Sequence, residues 1–339
     1  MNQPAAPARR PVAELRAGER VDDQVFLLTQ KDLRTTTTGS LYIHAVFADQ
    51  SGQLVARMWN ASQSVYDSMP ESGLLRIRGR VESYKGRPQM IIDGVRAVAP
   101  GEVDPTEFLP RTRFDIDEMW SRLKAVLRTI ENPDLLALIG AFVNDPAFAE
   151  SFKRSPAART NHHAFLGGLL EHTLNLLELA VLVLPRYPDV SRDLVLAGVF
   201  LHDAGKTAEL ACDTSFNYTN EGQLVGHIVQ AAIWIHQRAA ALEAKSGKAF
   251  PRDVLNALTH IIIAHHGQYE FGSPKLPATR EAVFVHYLDN LDAKLTMMSA
   301  AISGDPDAAS DWTPWVQALG TKVFKKDVLR APAPPAAPD

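Results

Sequence analysis

The residues in this chain best able to do chemistry are its histidines, and they are concentrated. Nine of the eleven fall between positions 162 and 266, and a tenth is His286. The sharpest local pattern is Phe-Leu-His-Asp-Ala-Gly-Lys at 200–206. It places an adjacent His202-Asp203 pair at the end of an apolar stretch, with Gly205 and Lys206 just behind. Adjacent helical residues point about 100° apart, yet such a pair at a helix end can converge on one site. Histidine offers a neutral nitrogen and aspartate a hard oxygen. That mixture suits Mn, Fe, Zn or Mg rather than a thiolate site, and the carboxylate can bridge two ions. Alone, the dipeptide is explained as well by chance or by capping. Its neighbours change that: Gly-Gly-Leu-Leu-Glu-His-Thr at 167–173, Gly-His-Ile at 226–228, Ala-His-His-Gly at 264–267 and His-Tyr-Leu-Asp-Asn-Leu-Asp at 286–292.

These motifs sit on a helical pattern. From Asp115 onward, apolar residues such as Met119, Leu123, Val126, Leu127 and Ile130 recur at three- and four-residue spacing. Pro133 and Pro146 stand where new helices could start. Further apolar helices are expected at 162–184, 191–204, 224–244, 251–266 and 280–301, so the second module reads as all-α. Residues 18–100 read differently. Short strands are expected at 25–28, 42–47, 54–59, 74–81 and 89–98, with a helical insertion at 62–69. Five short strands in this order match an OB-type barrel. The fold class is therefore α+β and multidomain, an N-terminal five-stranded OB-like β-barrel followed by an all-α helical module. The expected division is a mobile tail at 1–17, the barrel at 18–100, a linker and helical connector at 101–155, the His/Asp-bearing domain at 156–305, and a C-terminal extension at 306–339 ending in a Pro/Ala-rich disordered tail.

Composition narrows the function classes. The chain has 339 residues, 46% hydrophobic and 22% charged, which is ordinary for a folded protein of about two domains. No apolar run reaches the roughly 18–20 residues of a membrane span, and the N-terminus lacks the apolar core of a secretory signal. One cysteine, Cys212, excludes an internal disulfide framework and fits a cytoplasmic location. The net charge is −4, but residues 1–100 carry 13 Lys and Arg against 10 Asp and Glu. A mildly basic front module is suited to an anionic ligand. On it, Phe26, Tyr42, Trp59 and Tyr84 could stack bases while Lys31, Arg57, Arg76, Arg78, Arg80, Lys85 and Arg87 attract phosphates. Each aromatic could equally fill the barrel core. Arg76, Arg78 and Arg80 share one strand face and are either a phosphate row or a solvated surface. The Thr35–Thr38 run before Gly39 is either a ligand loop or plain turn chemistry. No GxGxxG or GxxxxGK[ST] pattern is present, which argues against a nucleotide-triphosphate motor.

The order H…HD…H…HH…D on successive helices resembles the HD phosphohydrolase superfamily. Within it, the stretches HHAFLGGLLEHT, HDAGK, GHI, HHGQYEFGSPK and YLDNLDAK are similar to the YhaM family of 3′-to-5′ exoribonucleases, which joins an OB module to an HD module in this order. The resemblance spans about residues 20–300. It implies a core metal site of His172, His202, Asp203 and Asp289, with His227, His265 and His266 completing a second ion. It also implies hydrolysis of single-stranded RNA, or of single-stranded DNA, to nucleoside 5′-monophosphates. The ions would be divalent, one or two per site, with Mn first and Co, Fe or Mg as alternatives. A homo-oligomer is compatible with the family. Asp203 and Lys206 are the candidate catalytic residues, Lys206 lying one turn on, where it could neutralise phosphate charge. Lys275 is a further phosphate candidate.

Other histidines read as ordinary packing. On one continuous helix His163 would face about 180° from His172, and His236 likewise from His227, while His260 lies about 140° from His265. Only a helix break, as at Gly167-Gly168, would bring His163 back. His162 stays undecided, and Glu171 reads as an acidic neighbour. Asp289 and Asp292 share a face; the family pattern puts the ligand at Asp289 and leaves Asp292 to cap or to support Lys294. Two other readings stand beside the exoribonuclease. One is an HD-type phosphohydrolase of a small nucleotide with a regulatory OB module. The other is a non-catalytic RNA-binding scaffold.

Overall fold

Alternating apolar residues in the first hundred positions close into a barrel. The structure is a computed structural model, and it describes residues 10–84, 86–99, 101–159, 163–212, 216–305, 307 and 310–329. Strands β1 (Arg20–Thr35), β2 (Leu41–Asp49), β3 (Gly52–Trp59), β4 (Gly73–Tyr84) and β5 (Arg87–Ala97) close in the order β1-β2-β3-β5-β4. Only β3 and β5 pair in parallel. Irregularities between Val21 and Gln24 and between Leu28 and Gln30 bend β1. The bends let one long strand pair with β4 at its start and β2 at its end. Phe26, Ile43, Phe47, Leu54, Ile77 and Met90 fill the interior. Helix α1 (Gln63–Ser68), N-capped by the Ser62 hydroxyl, fills the β3–β4 connection.

Residues 10–17 do not continue the expected tail. Val12–Glu14 form a 3-10 turn, Val12 and Leu15 are buried against the barrel core, and the Val12 N–H donates to the Asp49 carboxylate at 2.8 Å. Residues 1–9 lie outside the described residues, as does the Pro/Ala-rich end from 330.

The helical region comprises α2 (Ile116–Leu127), α3 (Pro133–Val143), α4 (Pro146–Arg154), α5 (Gly168–Val183), α6 (Arg192–Leu201), α7 (Lys206–Glu209), α8 (Asn220–Leu224), α9 (His227–Ser246), α10 (Arg252–Ala264) and α11 (Arg280–Gly304). Pro133 and Pro146 open α3 and α4 behind the side-chain caps of Asn132 and Asp145. The connector helices share one core with the later ones, running from Met119 through Phe152, Leu176, Phe200 and Ile261 to Leu288. The region is not purely helical. It carries two small hairpins, β6 (Leu210–Cys212) with β7 (Phe216–Tyr218), and β8 (Trp312–Val316) with β9 (Thr321–Phe324). The barrel docks on the helices through Val25, Leu27, Phe108, Leu109, Leu166 and Phe216. Gly168–Arg186 is long and apolar enough to cross a membrane by length and composition. Here it is the central core helix, with Leu169, Leu176, Leu177 and Ala180 fully buried.

Candidate metal centre

Five elements deliver the histidines and aspartates to one point. Helix α5 starts late because Gly167 takes a left-handed φ of 82°, which glycine adopts without strain. A Cβ on Gly168 would stand 2.0 Å from the His163 carbonyl oxygen. This break returns His163 to the side of His172, so the expectation that His163 faces away fails, because no continuous helix joins the two. The end of α6 supplies His202 and the turn after it Asp203; the start of α9 supplies His227. His265 and His266 follow α10, and α11 supplies Asp289 and Asp292 from one face.

Asp203 is the centre of the arrangement. Its Oδ2 lies 3.3 Å from His202 Nε2 and 3.9 Å from His172 Nε2. Its Oδ1 lies 3.4 Å from His227 Nε2 and 3.6 Å from His265 Nε2. One carboxylate oxygen therefore faces each pair of imidazoles. Asp289 Oδ1 stands 3.2 Å from His172 Nε2 and 3.9 Å from His202 Nε2. Donor atoms of His172, His202 and Asp203 lie within 4.8 Å of one another, as do those of His202, His265 and Asp289, and those of His227, His265 and His266. All seven residues singled out as metal ligands are thus brought together.

The opposite side of each ring shows why these nitrogens face inward. His202 Nδ1 meets the Val199 carbonyl at 2.7 Å, His265 Nδ1 the Ile262 carbonyl at 2.7 Å, and His266 Nδ1 the Phe271 carbonyl at 2.6 Å. His172 Nδ1 meets Asp292 Oδ2 at 2.7 Å and His227 Nδ1 meets Glu209 Oε1 at 2.9 Å. Each partner can only accept, so each Nδ1 carries a proton, and a ring that is otherwise neutral turns a lone pair inward at Nε2. The Nε2 atoms of His202, His227 and His265 and the Oδ1 of Asp203 are buried with no hydrogen-bond partner among the described residues. Converging orphaned lone pairs on nitrogen and carboxylate oxygen fit divalent cations of borderline to hard character.

Electrostatics separate the rings. Burial lowers the pKa of His227 and His265, and burial with the neighbouring His265 pushes His266 down to about 4. Burial opposes charge on His172 too, but Asp289 and Asp292 outweigh it and push it up to about 9. Burial would raise Asp203; Lys206 and His202 instead hold it well below the usual carboxylate range. Lys206 Nζ donates to Asp203 Oδ2 at 2.6 Å and is itself buried. Its cation lies against the central carboxylate instead of reaching toward solvent.

Several supporting residues escaped the sequence reading. Glu209, whose carboxyl is held down through its bond to His227 despite burial, also accepts the His227 backbone N–H at 3.1 Å. Asp292 joins His172 to His163, whose Nε2 is 3.0 Å away. His286 Nδ1 donates to the His265 carbonyl at 2.8 Å. Asp292 was legible only as one half of a DxxD, and His286 only as the start of the 286–292 motif with no role assigned; Glu209 gave no signal. His236 bonds Thr259, and His260 accepts the Ala278 N–H. Glu171 accepts from Thr112 at 2.5 Å. His162 lies outside the described residues. Lys275 is exposed on the loop after α10, its backbone N–H reaching the Ile263 carbonyl, and its charge is felt at His260.

The barrel separates its candidates. Phe26 is fully buried core. Tyr42 and Trp59 pack on the outer face with ring centroids 5.1 Å apart, and Arg57 lies among three rings, 4.8 Å from Tyr84, 5.4 Å from Trp59 and 5.9 Å from Tyr42. This is the β2–β3 face, bordered by the β4–β5 turn, which OB barrels use for oligonucleotides. Lys31 does not join it. Its Nζ is buried and donates to the Tyr66 and Met69 carbonyls at 3.0 and 2.6 Å, capping the end of α1. The arginine row is not a free cationic strip. Arg76 is bonded to Asp23 and Glu102, and Arg80 to Glu82 and Asp93. Arg78 is exposed beside Asp22, Asp23 and Arg96. Arg87 is exposed at the start of β5; Lys85 lies outside the described residues. Thr36 bonds within its own loop, to Thr38 and to the Ser40 N–H.

A family model described as HD domain matches residues 169–294, the span from α5 to α11 that carries the seven inward-facing residues. Among solved structures, the second OB-fold domain of replication protein A from Methanococcus maripaludis is 12% identical, with a TM-score of 0.22, covering 26% of this chain and 94% of that one. A replication protein A heterotrimer bound to ssDNA is 17% identical, with a TM-score of 0.19, covering 29% of this chain and 71% of that one. By strand order and by this match, the chain joins a closed five-stranded, OB-like barrel to an HD domain at residues 169–294.

Proposed function

We propose that this protein is a metal-dependent, cytoplasmic 3′-to-5′ exoribonuclease that hydrolyses single-stranded RNA to nucleoside 5′-monophosphates. The observation that carries the chemistry is Asp203, with one carboxylate oxygen facing His172 and His202 and the other facing His227 and His265. That donor set would hold two divalent ions, Mn first, which when bound supply Lewis-acid polarisation of a phosphoryl oxygen and acidify a water. The protein's own residues do the rest. Asp292, Glu209 and the carbonyls of Val199, Ile262 and Phe271 hold the imidazoles in one tautomer. The buried Lys206 ammonium adds fixed positive charge at the edge of the site, where the phosphodiester gains charge in the transition state.

The polymer reading is supported by the Tyr42, Arg57, Trp59 and Tyr84 face, which offers ring surfaces to bases around one guanidinium. Arg57 Nε is buried there without a hydrogen-bond partner among the described residues, as expected of a group that awaits an anion. The direction of digestion rests on the resemblance to the YhaM family. The test is a 5′-labelled single-stranded RNA of about 20 nucleotides, incubated with Mn²⁺ and resolved on a sequencing gel. Wild type should give a ladder shortening from the 3′ end, and His202→Ala/Asp203→Ala should give none. Intact RNA with metal-loaded wild type would defeat the proposal, and internal fragments would defeat the exonucleolytic part of it.

A further inference from the structure

The hairpin after the HD domain carries an exposed aromatic surface that neither the metal centre nor the barrel face uses. Trp312 is 51% exposed, Trp315 60% and Phe324 40%. The strand register explains how they come together. Trp312 pairs with Phe324 and Trp315 with Lys322, across an irregularity between the two tryptophans. Lys322 and Phe324 are two apart on β9 and share a face, with the buried Val323 on the other. Cross-strand partners also share a face. In a regular strand, residues 312 and 315 would point to opposite sides; the irregularity turns both outward.

The hairpin is also cationic. Positions 312–326 contain Lys322, Lys325 and Lys326 and no Asp or Glu; acids lie only at the flanks, at Asp311 and Asp327. Lys325 is tied to Asp305 at 2.6 Å. Lys322 and Lys326 are exposed and make no ion pair among the described residues. The hairpin is also braced internally: the Thr313 hydroxyl accepts the Val323 N–H at 2.9 Å. Its base packs on α11. Asp305 is held below the ordinary carboxylate range first by Lys325 and the Asp307 N–H, and it also feels the charge of Arg87. Arg87 opens β5 at the turn next to Tyr84.

We infer that the β8–β9 hairpin is a second contact for single-stranded nucleic acid, with bases stacking on Trp312, Trp315 and Phe324 and phosphates meeting Lys322 and Lys326. Stacking platforms interleaved with lysines suit a single strand of any sequence. The inference extends the proposed function, since it needs the barrel to hold the same polymer. It would give long single strands two footholds, and so raise their affinity over short ones.

The test uses the full chain, EDTA to stop hydrolysis, and fluorescence anisotropy with 5′-labelled single-stranded RNAs of about 6 and about 24 nucleotides. Wild type should bind the longer strand more tightly. Trp312→Ala/Trp315→Ala and, separately, Lys322→Glu/Lys326→Glu should each weaken the longer strand by about tenfold or more while changing the shorter one by less than about twofold. The charge variant removes no packed side chain, so it stands if the tryptophan variant misfolds. Ultraviolet cross-linking of 4-thiouridine RNA should label the peptide containing Trp312 and Trp315. Wild-type binding of the longer RNA that both variants match would overturn the inference and leave the proposed function intact. Lost binding together with a changed sedimentation mass would assign the hairpin to contacts between copies and also overturn it. A wild type that binds neither RNA would overturn both readings.

Discussion

Replacing Asp292 with asparagine isolates one layer of the metal centre. Asp292 Oδ2 receives His172 Nδ1, on the side of that ring away from Asp203, at 2.7 Å and His163 Nε2 at 3.0 Å. Asparagine keeps the shape but loses the charge, and its amide nitrogen can only donate. Its carbonyl oxygen can still accept from both rings, but as a neutral acceptor in place of a charged one. A hydrogen bond to a charged group contributes about 1.5–3 kcal/mol, which corresponds to roughly 10–100-fold in affinity. That matches the usual loss when the carboxylate behind a metal-binding histidine is removed. The assay is competition for Mn²⁺ against a fluorescent chelator at fixed pH, with circular dichroism as the folding control. Asp292→Asn should fold, bind Mn²⁺ about 10–100-fold more weakly, and lose activity in parallel. A folded Asp292→Asn protein with wild-type metal affinity would refute the claim that Asp292 orients His172.

Other expectations follow from single contacts. In metal-free protein, His172 sits at about 9 against an ordinary 6.5; its bound proton stabilises the fold fully below pH 6.5, and that contribution is lost as pH rises through 9. Urea unfolding of the EDTA-treated protein should show a decline on the order of 3 kcal/mol over that window, and a flat profile would contradict the assignment. Gly205→Ala would place a Cβ 2.1 Å from the His227 carbonyl oxygen; with backbone on both sides, it should cost about 1–3 kcal/mol and weaken metal binding, whereas unchanged stability and Mn²⁺ affinity would refute the close packing. On the barrel, Trp59→Ala should weaken single-stranded RNA binding about tenfold, while Arg76→Ala, cutting the ties to Asp23 and Glu102, should lower thermal stability and leave binding near wild type. The reverse pattern in those two assays would move the binding face to the arginine row.

The metal-facing residues were legible because their types are rare and their order on the chain repeats a pattern. His163 was not, because its angle was reckoned along a helix that breaks at Gly167. Lys31 reads from sequence as a surface cation; only the fold brings the Tyr66 and Met69 carbonyls to it. Period two correctly put Arg76, Arg78 and Arg80 on one face, but the acids that neutralise Arg76 and Arg80 arrive partly from other segments, Asp93, Glu102 and Asp23 among them. Phe26 could not be sorted because irregularities in β1 reset its alternation; Tyr42 and Trp59 sit on the unbroken β2–β3 ladder, where alternation alone does not tell which face closes inward. The β8–β9 hairpin was hidden inside a stretch read by its Pro/Ala end; the local clue was Trp-Thr-Pro-Trp and Lys-Val-Phe-Lys flanking Leu319-Gly320.

The central claim is that Asp203 lies between two metal positions. Crystals grown with Mn²⁺ and measured at the manganese absorption edge would test it most directly. The account predicts two anomalous peaks, one beside Asp203 Oδ2 with His172, His202 and Asp289, and one beside Oδ1 with His227, His265 and His266. A single peak away from Asp203, or none in protein that still degrades RNA, would contradict it.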